Sequence, residues 1–139
     1  MNNTDCKLQM LDLYFSKFDF VQDRDKKSED SEYNTSLNIN YAINSKDEMR
    51  IKITIDTIVK NKSESILVNL QTIGIFRMDK SDLDLTVYDH LIKVNTVAIM
   101  LPYIRSQISL ITTQPGITPI MIPPVNVNSL AEKQGNETK

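Results

Sequence analysis

One cysteine, one histidine, three glycines and no tryptophan in 139 residues leave little material for several kinds of chemistry. With Cys6 as the sole thiol, no internal disulfide can form. The only imidazole–thiol pair would be His90 with Cys6, and neither neighbourhood supports a nucleophile; His90 reads as an exposed loop residue. One Cys and one His cannot make a four-ligand zinc site without recruiting carboxylates. The acids Asp23, Asp25, Glu29, Asp30 and Glu32 are interspersed with Arg24, Lys26 and Lys27, a solvated loop rather than a metal site. No GxGxxG or GxxxxGK(S/T) pattern occurs, so no phosphate-cradling loop is expected. These gaps together predict no enzyme and no cofactor.

Other absences bear on partners and compartment. A formal charge of −2, with no basic stripe carrying interleaved aromatics, provides no drive toward nucleic acid. The longest strongly apolar run, Val97 to Leu101, is far too short to span a membrane, so no membrane insertion is expected. The opening MNNTDCKLQM has neither a basic nor an apolar leader segment, so no signal peptide is expected. These features together suit a cytoplasmic protein.

What is present is a series of alternating segments. The length fits one domain, placed at 1–131, with the polar tail 132–139 expected to be disordered. Residues 8–21 read as a strand whose apolar phase moves from Leu11, Leu13 and Phe15 to Phe18 and Phe20, a one-residue slip that suggests a bulge. A charged stretch without aliphatic residues, 22–34, predicts a loop. In 35–43, Leu37, Ile39, Tyr41 and Ile43 alternate with polar or small residues; in 49–59, Ile51, Ile53 and Ile55 alternate with Arg50, Lys52, Thr54 and Asp56. Residues 66–76 give a fourth strand, with Gly74 as a bulge or a close backbone approach. Short turns between the last three strands predict an antiparallel meander. Residues 77–90 predict irregular structure or a short helical turn.

A helix follows. Val97, Met100, Leu101, Ile104, Ile108 and Ile111 share one face, and Ile99, Tyr103, Ser106 and Leu110 form a second line. Asn95 or Thr96 would cap its start, Pro102 would kink or divide it, and Gln114-Pro115-Gly116 would stop it. Ser106, Ser109, Thr112 and Thr113 read as small residues that allow close packing. Four of the five prolines then fall between 115 and 124, interleaved with Ile117, Ile120, Met121, Ile122 and Val125, too apolar for a free linker. The fold class is α+β: a four-stranded antiparallel sheet, a long helix, a proline-rich loop and a short C-terminal helix. One sheet covers one side of a helix, so the second apolar line predicts an oligomer.

The helix and loop residues Leu101-Pro102-Tyr103, Arg105 and Ile108, then Pro123-Pro124-Val125-Asn126 and Leu130, resemble the SecB family of protein-export chaperones. Its members carry a Leu/Phe-Pro-Tyr-x-Arg helix and a loop ending in Pro-Pro-Val-Asn. Gln71 to Phe76 is similar to the family's Gln-x-x-Gly-Ile-Phe strand, and the likeness extends from about Leu8 to Leu130. The resemblance implies a homotetramer built as a dimer of dimers and ATP-independent binding of unfolded polypeptides in apolar grooves. It also implies an acidic sheet face for the SecA motor. At those places stand Lys17, Val21 and Asn69, with Leu67 kept, so engagement of SecA is expected to be weak or absent. The expected client groove is Leu37, Ile39, Ile117, Ile120 and Met121. The expected oligomer interface is Ile99, Tyr103, Ile104, Ile108 and Leu110. The competing readings are a SecB-like chaperone of a toxin–antitoxin system and an oligomeric scaffold for one folded partner.

Overall fold

Alternation in the sequence becomes four strands in the computed structural model, which describes residues 8–26, 32–79 and 84–123. They are β1 (Leu8–Gln22), β2 (Tyr33–Ile43), β3 (Arg50–Asn61) and β4 (Ile66–Met78). All pair antiparallel in the order β1-β4-β3-β2, so the predicted meander is present and β1 returns to lie beside β4. The expected tail and short C-terminal helix lie outside the described residues.

Strand β1 slips twice rather than once. Its register against β4 shifts between Met10 and Asp12 and again between Phe15 and Lys17. Each extra residue turns the side-chain phase over. Leu8 and Met10, then Leu13 and Phe15, then Phe18 and Phe20 therefore all face the same side, opposite Met78, Phe76, Gly74, Thr72, Leu70 and Val68. Leu11, placed in the alternating set by sequence, is the first bulge residue and is exposed. Ser16, the second, donates from Oγ to Gln71 Oε1 at 2.6 Å, and Gln71 Nε2 donates to Asp56 Oδ1 at 2.9 Å. That polar line ties β1, β4 and β3 together on the outer face.

The inner face carries the core. Ile51, Ile53, Ile55 and Val59 of β3 and Val68, Leu70 and Phe76 of β4 are buried under the helical layer. Full burial of one such side chain is worth about 1.5–3 kcal/mol. The helical layer begins earlier than its apolar periodicity suggests. Helix α1 (Leu85–His90) is capped by Asp84, whose carboxylate accepts from the Thr86 N–H. A π-helical turn, Leu91–Asn95, leads without a break into α2 (Thr96–Ile111). Asn95 is helical and caps nothing, and the Thr96 N–H reaches back to the Leu91 carbonyl. The expected N-cap at Asn95 or Thr96 is thus replaced by one at Asp84. The Tyr41 hydroxyl donates to the Lys93 carbonyl at 3.2 Å and pins this turn to β2. Burial, and secondarily the Asp89 carboxylate, push the Tyr41 hydroxyl up to about 12.

Pro102 neither ends nor divides α2, which runs on through it. The Ala98 carbonyl loses its i+4 donor there. Ala98 and Pro102 both lie on the exposed side, where water can take the donor's place. Val97, Met100, Leu101, Ile104 and Ile108 point into the core. Ile104 and Ile108 are 1% and 0% exposed within the single chain, so their assignment to a subunit interface is corrected: the sheet already covers them. Ile99, Tyr103 and Leu110 of the second line stay 37%, 47% and 66% exposed.

Gly74 sets how close α2 comes to the sheet. It is in regular register with Leu13 and Ile53, so it is no bulge. A Cβ there would stand 2.8 Å from Met100 Sδ and 2.8 Å from the Phe76 ring. Both neighbours are fully buried, so neither can swing into water. Gly74→Val should cost about 1–3 kcal/mol by overpacking. Thermal unfolding followed by circular dichroism should show a melting point lower by several degrees; an unchanged melt would remove Gly74 from this role.

Candidate functional site

The residues after α2 form one wall of the site. Thr112 closes the helix, its N–H bonded to the Ile108 carbonyl. Gly116 takes φ +77°, the left-handed turn that glycine allows, and the chain doubles back with the Ile117 N–H on the Gln114 carbonyl at 3.1 Å. From Ile117 to Pro123 it is itself neither helix nor strand. Pro119 and Pro123 have no N–H to offer.

The backbone of that segment is held by side chains of α2 instead. Ser109 Oγ donates to the Ile120 carbonyl at 2.9 Å, and Arg105 Nε donates to the Ile122 carbonyl at 2.9 Å. Thr112 Oγ1 accepts from the Ile120 N–H at 2.8 Å while donating to the Ile108 carbonyl at 2.8 Å. Positions 105, 109 and 112 make one stripe at helical spacing. They act as docking groups as well as small packing residues, which corrects the sequence reading of Ser109 and Thr112. Ile120 and Ile122 turn inward and are buried, and Met121 between them is 76% exposed.

Facing this wall is a corner of the sheet. The end of β1, the start of β2 and the β3–β4 turn enclose, with residues 116–123, an open cleft of about 780 Å³. The turn is braced by Asn61, which donates from Nδ2 to Ser65 Oγ at 2.7 Å and accepts from the Ile66 N–H at 3.2 Å. The Asp23 N–H binds the Ser65 carbonyl at 2.7 Å and holds the end of β1 to it. Arg24 reaches across to the Pro115 carbonyl at 3.3 Å. Tyr33 and Thr35 of β2 also line the space, and burial raises the Tyr33 hydroxyl above its usual value. One side of the cleft is thus apolar, with Ile117 and Met121, and the other offers hydroxyl, amide and guanidinium groups. Among the described residues no group of acids, His or Cys is arranged to hold a metal, and no helix is long and apolar enough to cross a membrane.

The groove residues expected from sequence divide three ways. Ile117 and Met121 line the cleft with side chains partly or largely open. Ile120 touches the cleft but anchors the wall in the core. Leu37 and Ile39 lie off the cleft: Ile39 is buried in the core and Leu37 packs against it, because both point from β2 toward the helical layer. Arg24, Tyr33 and Thr35 were not expected there. They come from a loop and a strand end whose local pattern has no apolar signal.

The chain matches the family model of preprotein translocase subunit SecB over residues 2–138. It is 26% identical over 128 residues to the uncharacterized protein MJ0357 of Methanocaldococcus jannaschii, covering 88% of this chain and 81% of that one. A solved structure of the Mycobacterium tuberculosis Rv1957 SecB-like chaperone, in complex with a ChAD peptide from the Rv1956 HigA1 antitoxin, superposes with a TM-score of 0.70 at 9% identity. That match covers 88% of this chain and 92% of the other and establishes a common fold.

Thr112→Val keeps the side chain's shape and removes its oxygen, leaving the Ile120 N–H buried without an acceptor. Such a loss costs about 1–3 kcal/mol, so amide exchange at Ile120 and Ile122 should quicken roughly ten- to a hundredfold. Exchange at Ile53 and Ile55 of β3 should stay as it was. Equal protection at Ile120 in both proteins, measured by hydrogen–deuterium exchange, would show that Thr112 does not hold the wall.

Proposed function

The chain belongs to the SecB family, and from that premise we propose that it is an ATP-independent holdase that keeps extended, apolar stretches of non-native polypeptide in the cleft beside the proline-rich wall. One observation carries the reading: apolar side chains stand on one wall and hydrogen-bonding groups on the other. An extended segment has the same two needs, since its large side chains seek burial and its backbone needs partners. Apolar burial against Ile117 and Met121 contributes about 25 cal/mol per Å². Retention of the unfolded chain then competes with misfolding and aggregation by mass action. No catalytic step or cofactor enters this reading, and it places the protein in the cytoplasm.

We further propose a homotetramer. Ile99, Tyr103 and Leu110 form an apolar line on the side of α2 away from the sheet, and a second copy would cover it. SecA is not a strong partner on this reading. Lys17 pairs with Asp19, and Val21 and Asn69 bring no negative charge to the outer face. An antitoxin client is the second reading, supported by the antitoxin peptide carried by the structurally similar M. tuberculosis chaperone. A scaffold for one folded partner would leave unrelated denatured proteins to aggregate.

Ile117→Ser with Met121→Ser removes the open apolar side chains and leaves the buried anchors Ile120 and Ile122 in place. Suppression of aggregation of an unrelated denatured protein should fall several-fold, with a melting point close to that of the parent. Full activity in the double variant would sink the cleft as the client site. Light scattering should give a mass near four times 15.9 kDa; a monomer would overturn the tetramer.

A further inference from the structure

At one end of the outer face of the sheet three cations stand without an ion pair among the described residues. Arg50, the first residue of β3, stands directly opposite Arg77 near the end of β4, and Lys52 follows two positions on, opposite Ile75. Directly opposed side chains on adjacent strands have Cβ atoms about 4.5–5.5 Å apart, where like charges are destabilising. All three cations are exposed, and among the described residues none forms an ion pair with a carboxylate. The acids around them are otherwise committed or simply unpaired with them. Asp47 accepts from the Met49 N–H inside its turn, Glu48 and Asp79 have partners of their own, and Asp12, opposite Ile75 on β1, makes no bridge to Arg77. Elsewhere on this face charge is matched: Lys17 with Asp19 at 3.8 Å, Lys60 with Glu64 at 3.8 Å, and Asp56 bonded by Gln71. What marks this end of the face is two directly opposed guanidinium groups with a lysine beside them, none of the three bridged to a carboxylate among the described residues.

We propose that this end of the outer face docks an extended polypeptide segment with acidic residues at alternate positions. Guanidinium forks take carboxylates in a bidentate way that an ammonium cannot match, and two stand side by side here. Arg50 and Lys52, two residues apart on one strand, are about 6.8 Å apart along it. An extended segment lying along β3 presents alternate side chains at that same interval. The strands hold these positions rigidly, and Arg77 is steadied further by Met49, whose Sδ accepts from its Nη2 at 3.4 Å. Met49 and the half-buried Ile75 give the segment apolar contact between its acids. The client cleft lies at the other end of the sheet, by Asn61 and Ile66, so the two surfaces are separable.

The probe is a fluorescein-labelled peptide of alternating glutamate and serine, titrated with the full chain and read by anisotropy. Binding should weaken steeply with added salt, as exposed charge pairs do. It should be absent for the same peptide with glutamine in place of glutamate. Arg50→Glu with Arg77→Glu should lower affinity at least tenfold. Lys17→Glu with Lys60→Glu, the same change in net charge on the same face, should alter it less than twofold. Arg77→Ser alone should weaken binding several-fold and melt no lower than the parent, since it relieves the repulsion. It carries the test should the double reversal fail to fold. Aggregation suppression should be unchanged in all of these, which separates this surface from the client cleft. Equal losses in the two double variants, equal binding of the glutamine peptide, or no binding of the glutamate peptide would each overturn the proposal.

Discussion

The contact of Met100 with Gly74 is the constraint on which the rest of the structure depends. Because β4 presents only a hydrogen at that position, the thioether sits directly on the sheet and α2 comes to rest close to it. That seating determines where Arg105, Ser109 and Thr112 stand, and they in turn hold the carbonyls and the single critical N–H of the proline-rich segment. The cleft is therefore three steps removed from a glycine. A side chain at residue 74 would be felt first as lost packing and only afterwards as a displaced wall.

The proline-rich segment resolves a conflict that its composition creates. Prolines keep it extended and remove donors, so it cannot join the sheet as a strand, yet its isoleucines must be buried. Burial without backbone partners is costly, since an unpaired buried polar group forfeits on the order of 1–3 kcal/mol. Side chains from a neighbouring helix meet that need one group at a time. Alternate residues turn to the core, and Met121 between them is left facing the open side.

The two faces of the sheet divide the work. The inner face is mostly apolar, aliphatic on β3 and rich in phenylalanine on β1, and β1 keeps to it only through two bulges that restore phase after each slip. The outer face mixes apolar side chains such as Tyr14, Ile58 and Ile73 with polar and ionic links such as Ser16–Gln71–Asp56 and Lys17–Asp19, and at one end Arg50 and Arg77 stand opposed without an ion pair among the described residues. One of these bulges was readable from Phe15 to Phe18. The other was concealed because Leu11 is itself apolar and extends a false alternation through Leu13. Hydrophobicity alone does not tell a bulge residue from an inward one.

Periodicity, with the short turns between segments, determined the four strands, the antiparallel meander and the long helix with its two apolar lines, because those follow from side-chain spacing and connection length along the chain. The motifs around Pro102, Arg105 and Gly74 were enough to indicate the family. Tertiary structure alone decided which of two apolar lines on α2 meets the sheet, and so sent Ile104 and Ile108 to the core and left Tyr103 and Leu110 outside. It also moved the helix start back to Asp84, since a π-helical turn joins two segments that read separately. Leu37 and Ile39 lie with the core and off the cleft, and Arg24, Tyr33 and Thr35 line it. The physical reason is the same in each case: a site between elements is set by how they pack, and local patterning reports only what each element requires of its own surroundings.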